Sequence, residues 1–205
     1  MGSRSGPTAA ISLGAPPKPE RADAARNRRH VLAATERLIA ARGVEALTMD
    51  DIAAEAGVGK GTLYRRFGDK GGLAVALLNE RERELQERII TGPSPLGPGA
   101  DPAERLSTFV TAYAELVIAQ LDLMLMSETS TPGARMLTGA HAFWRQHCTI
   151  LLRQSGAPDP QFRAEILLAT LSAEQIRYWT RNDAQDAGSL AEKLSAAALA
   201  LASDR

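Results

Sequence analysis

A chain of 205 residues with 24 Lys/Arg against 24 Asp/Glu has room for one large or two small domains and is not a polycation overall. One cysteine, Cys148, excludes an intramolecular disulfide and fits a reducing compartment. With no run long enough to span a membrane and no apolar leader, the cytoplasm is the expected location and no membrane partner is expected. Abundant alanine, few aromatics and no alternating β-branched runs indicate an all-α fold.

Charge is unevenly spread. Residues 1–70 carry twelve Lys/Arg and eight Asp/Glu, whereas residues 101–205 carry nine and twelve, so nucleic acid contact is expected at the N-terminal end. Residues 1–21, rich in Gly, Pro, Ser and Ala, are expected to be a disordered arm; Arg4, Lys18 and Arg21 could lie along a DNA groove, although a plain tail is preferred. A first helix is read over 21–42, with Val31, Leu32, Thr35, Leu38 and Ile39 as its apolar stripe and Gly43 as its stop. Arg26, Arg28 and Arg29 crowd its start, for phosphate contact or simple solvation.

The stretch 47–70 organises the rest. Thr48 is an N-cap, Asp50 and Asp51 fill the favourable first turn, and Ile52, Ala53 and Ala56 fall at helical spacing. Gly57 suits a left-handed helix end, and Val58 plugs the turn. A second short helix opens at Gly59-Lys60-Gly61-Thr62 and closes near Phe67-Gly68. Leu63 and Phe67 share its inner side, while Lys60, Gly61, Tyr64 and Arg65 face outward. A helix-turn-helix lays such a second helix in the DNA major groove, with its N-terminal residues nearest the base edges. Gly61 permits close approach, Thr62 and the open helix start suit a phosphate, and Lys60 and Arg65 add charge or read guanine. Two bundle helices with a solvated basic face are the bland alternative.

A fourth helix is read from Lys70 to about Ile90, its Glu/Arg-rich second half (NERERELQER) taken as a solvated bridge between domains. Gly71-Gly72 in its first turn each cost on the order of 1 kcal/mol relative to Ala, so a loosely held start is expected. Residues 91–102, with four prolines and three glycines, read as the linker between a head over 22–90 and a body over 103–205. In the body, helices are read over 102–120, 121–126 (a continuation or a separate piece), 134–154, 160–182 and 189–202. A ligand pocket is expected from Phe109, Tyr113, Met124, Met126, Met136, Phe143, Trp144, His147, Gln175, Tyr178 and Trp179, with a hydrophobic small molecule weakly preferred. His141, His147 and Cys148 lack metal-ligand spacing, and no base–orienter pair accompanies Cys148, so neither a metal, a cofactor nor an enzymatic activity is expected.

The run ATERLIAARGVEALTMDDIAAEAGVGKGTLYRRFGDKGGLAVAL resembles the DNA-binding domain of TetR-type transcriptional regulators, with Thr62, Leu63, Tyr64, Phe67 and Lys70 on the family pattern. The resemblance implies a three-helix head joined by a fourth helix to a helical-bundle body. It implies Thr48, Lys60, Gly61, Thr62, Tyr64 and Lys70 as DNA-contact positions, with Arg65 beside them and Arg66 more doubtful. It implies a homodimer on palindromic operator DNA, released when a small-molecule effector moves the fourth helix. The last two helices then form the dimer interface, through Ile166, Thr170, Ala173, Arg177, Leu194, Ala197, Ala198 and Leu201. A helical dimerisation adaptor with sequence-independent DNA binding, or a helical enzyme, stands as the alternative.

Overall fold

The computed structural model describes residues 19–183 and 186–203, with side chains from residue 23 onward except at 182. Among the described residues all regular structure is helical: α1 (Pro19–Arg42), α2 (Met49–Glu55), α3 (Lys60–Phe67), α4 (Lys70–Thr91), α5 (Pro102–Ala119), α6 (Leu121–Glu128), α7 (Gly139–Gln154), α8 (Pro160–Thr170), α9 (Ala173–Arg177) and α10 (Ala187–Ala202). Residues 1–18 of the expected 1–21 arm lie outside the described residues, as do the side chains of residues 19–22; α1 begins at Pro19, so the last three residues assigned to the arm are helical.

α1, α2 and α3 close around Val31, Ala34, Leu38, Leu47, Ile52, Leu63 and Phe67. Gly43 and Gly57 stop α1 and α2 with φ of 76° and 59°, a conformation that a Cβ disfavours. Arg37 ties α1 to α2 through Glu55 (Nη2 to Oε1, 2.9 Å), and Arg28 sits over the Phe67 ring at 5.7 Å. Of the arginines crowding α1, Arg28 thus has a packing use within the head.

α4 contributes to two cores. Leu73 and Ala76 complete the head; Ala74, Leu77, Leu78, Leu85 and Ile89 enter the body, and Leu96 from the following loop joins them. The expected looseness of its first turn is not found. Asp69 caps it, accepting from the Gly72 N–H at 2.8 Å, and both glycines are sites of close approach. A Cβ on Gly71 would stand 2.2 Å from Ser130 Cβ, and one on Gly72 would stand 1.9 Å from the Phe67 carbonyl oxygen. The missing side chains let α4 settle against the end of α6 at Gly71 and against the end of α3 at Gly72, which outweighs their helix-propensity cost.

In the body, α5 is the central helix, buried along Leu106, Phe109, Val110, Tyr113 and Val117 and covered by α10. It turns through 90° into α6, which is a separate helix. No single described helix is long and apolar enough to cross a membrane. Two expected helices are broken. Residues 134–154 split into a 3₁₀ turn (Ala134–Leu137), entered through Gly133 at φ 75°, and α7, which restarts at Thr138 as its hydroxyl accepts from the His141 N–H. Residues 160–182 split at Leu171-Ser172: Ser172 caps α9, and Glu128 Oε2 accepts the Ala173 N–H at 2.9 Å. Both breaks use hydroxyl caps that periodicity alone does not reveal.

Gly71→Ala and Gly61→Ala make the same helix-propensity change in opposite surroundings. A Cβ at Gly61 meets nothing within 4 Å. Urea unfolding should show Gly71→Ala destabilised by about 1–3 kcal/mol through overpacking, and Gly61→Ala unchanged or stabilised by up to about 1 kcal/mol.

Candidate nucleic-acid interface and effector cleft

The outward surface of α3 follows from where its apolar residues go. Leu63 and Phe67 are buried, which turns Lys60, Gly61, Tyr64, Arg65 and Arg66 to solvent. Thr62 is half-buried, and Lys70, half-buried at the start of α4, flanks the same surface. The α3 N-terminus has no side-chain cap, because Gly59 holds that position. Such a terminus offers free N–H groups to an anion. Two side chains are already engaged. Lys60 Nζ lies 2.5 Å from Asp50 Oδ2. The Thr48 hydroxyl donates to Asp51 Oδ2 at 2.5 Å and accepts the Asp51 N–H at 3.1 Å, closing a capping box with Asp at the third helical position. The Thr48 hydrogen bond holds the Asp51 carboxyl below its usual range. Thr48 thus positions α2, and its hydroxyl hydrogen is not free for a phosphate in this state.

The body holds an open cleft of about 680 Å³ between α4 and the segment from the end of α6 to α7, with Val75, Glu82, Ser127, Leu137, Ala140 and Phe143 among its walls. A small inner chamber of about 20 Å³ lies beside it and shares Val75, Glu82, Ser127 and Thr138 with it. Leu78, Tyr113, Met124, Glu128, Arg135, His141 and Trp144 complete the chamber.

The residues expected to line a pocket divide by where the structure places them. Tyr113, Met124, Phe143 and Trp144 do line the cleft or its chamber. Phe109 and His147 do not: they are buried behind, with their rings 5.1 Å apart and Phe109 5.7 Å from Trp144. Met126 packs on the body core, Met136 is exposed, and Gln175 lines neither space. Tyr178 is 51% exposed, and Trp179 lines a separate groove with Thr170, Lys193 and Ala197. The break before α9 moves these last residues away from the cleft.

Charged residues that sequence reasoning passed over form the chamber's chemistry. Glu128 and Arg135 are a buried ion pair (Arg135 Nε to Oε1, 3.0 Å), close in distance but out of line for an N–H···O bond. Glu128 Oε2 accepts from Ala173, and Arg135 Nη2 donates to the Leu168 carbonyl at 2.8 Å, so the pair is consumed in joining α6, α8 and α9. Burial pushes the Glu128 carboxyl up, against the opposing pull of Arg135. Glu82 has no such partner among the described residues. Burial, with Glu128 adding to it, raises its pKa to about 7. Burial lowers His141, with Arg135 adding to the effect, and lowers His147 to about 4, with Arg105 adding. Tyr113 is pushed up to about 12 by burial. Burial also drives the Cys148 thiol well above its usual value, so it is no nucleophile at neutral pH.

A signal for Glu82 was present in the sequence. Leu78, Glu82, Leu85 and Ile89 are spaced 4, 3 and 4, which puts one carboxylate on the buried stripe of a helix whose other charges face water. Glu128 and Arg135 lie seven apart across a Pro-Gly loop and carry no comparable mark.

The predicted dimer residues divide. Ala173, Leu194 and Ala198 are buried within the chain, because α10 turns Leu190, Leu194 and Ala198 onto the body core; they are not available to a partner. Ile166, Thr170, Arg177, Ala197 and Leu201 retain exposed or half-exposed surface.

A short second helix with a basic outward face, carried on a helical body, defines a helix-turn-helix DNA-binding protein. Residues 31–77 match the sequence profile of the bacterial regulatory proteins, tetR family. The helix-turn-helix transcriptional regulator HbdR of Aromatoleum sp. (strain CIB) is 32% identical over 109 residues, which span 53% of this chain and 46%, about half, of that protein. Two solved structures share the fold. The fatty acid degradation regulator FadR of Bacillus halodurans aligns over 84% of this chain and 94% of its own, with TM-score 0.60 and 19% identity. A transcriptional regulator of Saccharomonospora viridis in complex with choline aligns over 84% and 95%, with TM-score 0.58 and 23% identity. Residues 31–77 are thus of the tetR-family DNA-binding type by sequence, and the chain as a whole shares the fold of solved transcriptional regulators.

Glu82 makes a pH prediction with a definite sign. Its folded pKa of about 7 lies above its ordinary 4.5, so between those values the folded state keeps a proton that the unfolded chain has lost. Stability therefore falls as pH rises through that window, and the loss is complete above about 7. His147 works the other way, its contribution being lost as pH falls from 6.5 through about 4. Glu82→Gln should raise the melting temperature at pH 8, by an amount equivalent to roughly 2 kcal/mol once partial exposure is allowed for. It should do little at pH 5. The check is thermal unfolding of both proteins at both pH values, and a gain independent of pH would contradict the assignment.

Proposed function

We propose that the protein is a homodimeric, ligand-released repressor that binds a palindromic operator through α3 of each protomer. The observation that carries this reading is the double membership of α4. One helix closes the head core with Leu73 and Ala76 and walls the body cleft with Val75 and Glu82. An occupant of the cleft must displace or brace α4, and α3 adjoins it through Gly68 and Asp69. Ligand then changes DNA affinity only as far as it favours one placement of α4 over the other.

In this reading Tyr64 and Arg65 reach sugar, phosphate or base edges, and Gly61 lets the backbone approach. Thr62 and the open α3 terminus take a phosphate, and Lys70 grips the flanking backbone. Lys60 exchanges Asp50 for the DNA, an exposed pair that is inexpensive to break. Thr48 acts by fixing α2. The S. viridis structure of this fold is in complex with choline, which supports a small-molecule ligand for this chain. Apolar walls such as Val75, Leu137 and Phe143 suit an effector with a hydrophobic part.

For the dimer, α8 and α10 present Phe162 (67% exposed), Ile166 (40%) and Leu199 to solvent, with Thr170 and Ala197 between them. Large apolar side chains this exposed on a terminal helix pair are the expected surface of a two-fold contact.

Two measurements test the reading. Tyr64→Ala should weaken binding to the footprinted operator by about 1–3 kcal/mol, and Lys60→Ala should lower the salt slope of binding by about 1; an unchanged mobility shift for both would reject α3 as the reading helix. Ile166→Arg should sediment as a monomer and lose the operator shift, while its helical content stays intact. A dimeric Ile166→Arg protein would move the interface elsewhere.

A further inference from the structure

The inner chamber has a chemistry that selects among effectors, given the reading of the cleft as the effector site. Its charged residues do not balance. Glu128 and Arg135 neutralise each other and are tied down by backbone bonds. Glu82 remains, a largely buried carboxyl with neither a cation nor a hydrogen-bond donor against it among the described residues. A buried carboxylate in that state takes a proton or a cation. Three further polar atoms in the same chamber lack a hydrogen-bond partner: His141 Nδ1, Arg135 Nε, and Nε1 of Trp144, a residue only 1% exposed. A neutral imidazole with its proton on Nε2 offers Nδ1 as an acceptor beside the Glu82 carboxylate, whereas the Trp144 and Arg135 atoms are donors.

Size narrows the cation. The chamber measures about 20 Å³. That is room for one water-sized group, and a primary ammonium is such a group whereas a trimethylammonium is several times larger. The adjoining cleft of about 680 Å³ runs past Val75, Ala140 and Phe143, which fits an alkyl chain.

We propose that this cleft binds primary alkylamines, with the ammonium in the chamber against Glu82 and His141 Nδ1 and the alkyl chain along the outer groove. The groups facing Glu82 are Tyr113 from α5, Glu128 from α6, Arg135 from the 3₁₀ turn and His141 from α7, with Arg83 beside it on α4. Of these, Arg135 is already paired and His141 is neutral near pH 7. The ammonium and the proton therefore compete for the Glu82 carboxylate, and amine affinity rises with pH.

The test is calorimetric titration of the full chain with octylamine, octan-1-ol and octyltrimethylammonium at pH 8, with operator binding measured separately. Octylamine should bind at least about tenfold more tightly than either of the others, the cost of losing the charge pair or of forcing the chamber open. Glu82→Gln should erase that advantage while leaving octan-1-ol unchanged, and Glu82→Asp should retain part of it. Lowering the pH from 8 to 6 should weaken octylamine binding by about tenfold in the wild type and not in Glu82→Gln. Equal affinity for the three probes, no detectable octylamine binding, tighter binding of the trimethylated probe, or indifference to Glu82→Gln would each overturn the proposal. Octylamine that binds through Glu82 without weakening operator binding would uphold it and defeat the effector reading instead. Operator release by some other compound, with octylamine inert, would do the reverse.

Discussion

The fold depends on α4 being packed into two hydrophobic cores at once. Its side chains cannot satisfy one core independently of the other: Leu73 and Ala76 belong to the head, while Ala74 and Leu77, one residue away from each, belong to the body. Close-packed interiors do not deform continuously, so a shift of α4 against the body must either carry the head along or open a void. The contact of Gly71 with Ser130 sets how near α4 can come to the end of α6, and that spacing also sets the width of the cleft. Glu82 lies twelve residues beyond Lys70, about 18 Å along a helix. Head and chamber are thus joined by a short, stiff lever.

The chamber shows stability and chemistry pulling in opposite directions. Glu128 and Arg135 are buried charges with an evident structural use, since between them they terminate α8 and start α9. Glu82 has none. Nothing in the packing of α4 requires a carboxylate there, and its neighbours Leu78 and Leu85 on the same stripe show that an apolar residue suits the position. A group that costs folding energy and joins no element is the kind of local inconsistency that marks a site.

Reading the sequence recovered the head almost residue by residue. Thr48, Gly57, Leu63, Phe67 and Gly68 each obey a local rule, and short-range capping and periodicity suffice for helices of seven or eight residues. The body was legible as helices but not as breaks. Thr138 and Ser172 are hydroxyl caps inside otherwise helical stretches, and whether such a residue caps or sits in mid-helix is decided by distant partners, Glu128 among them. The same long-range pairing placed Tyr178 and Trp179 away from the cleft. Reading Gly71-Gly72 as a weakness failed because propensity counts what a glycine loses within its helix and not the close contact it permits outside it. The charged chamber was missed because its members sit on five different elements, and only Glu82 departs from the pattern of its own.

Amide hydrogen exchange on operator binding tests the lever most directly. If α4 couples the two cores, operator DNA should slow exchange along α3 and also along the body-facing stretch of α4, from Leu77 to Leu85, which no DNA could touch. Protection that stops with α3 and the first turn of α4, leaving Leu77 to Leu85 exchanging as in the free protein, would contradict the account.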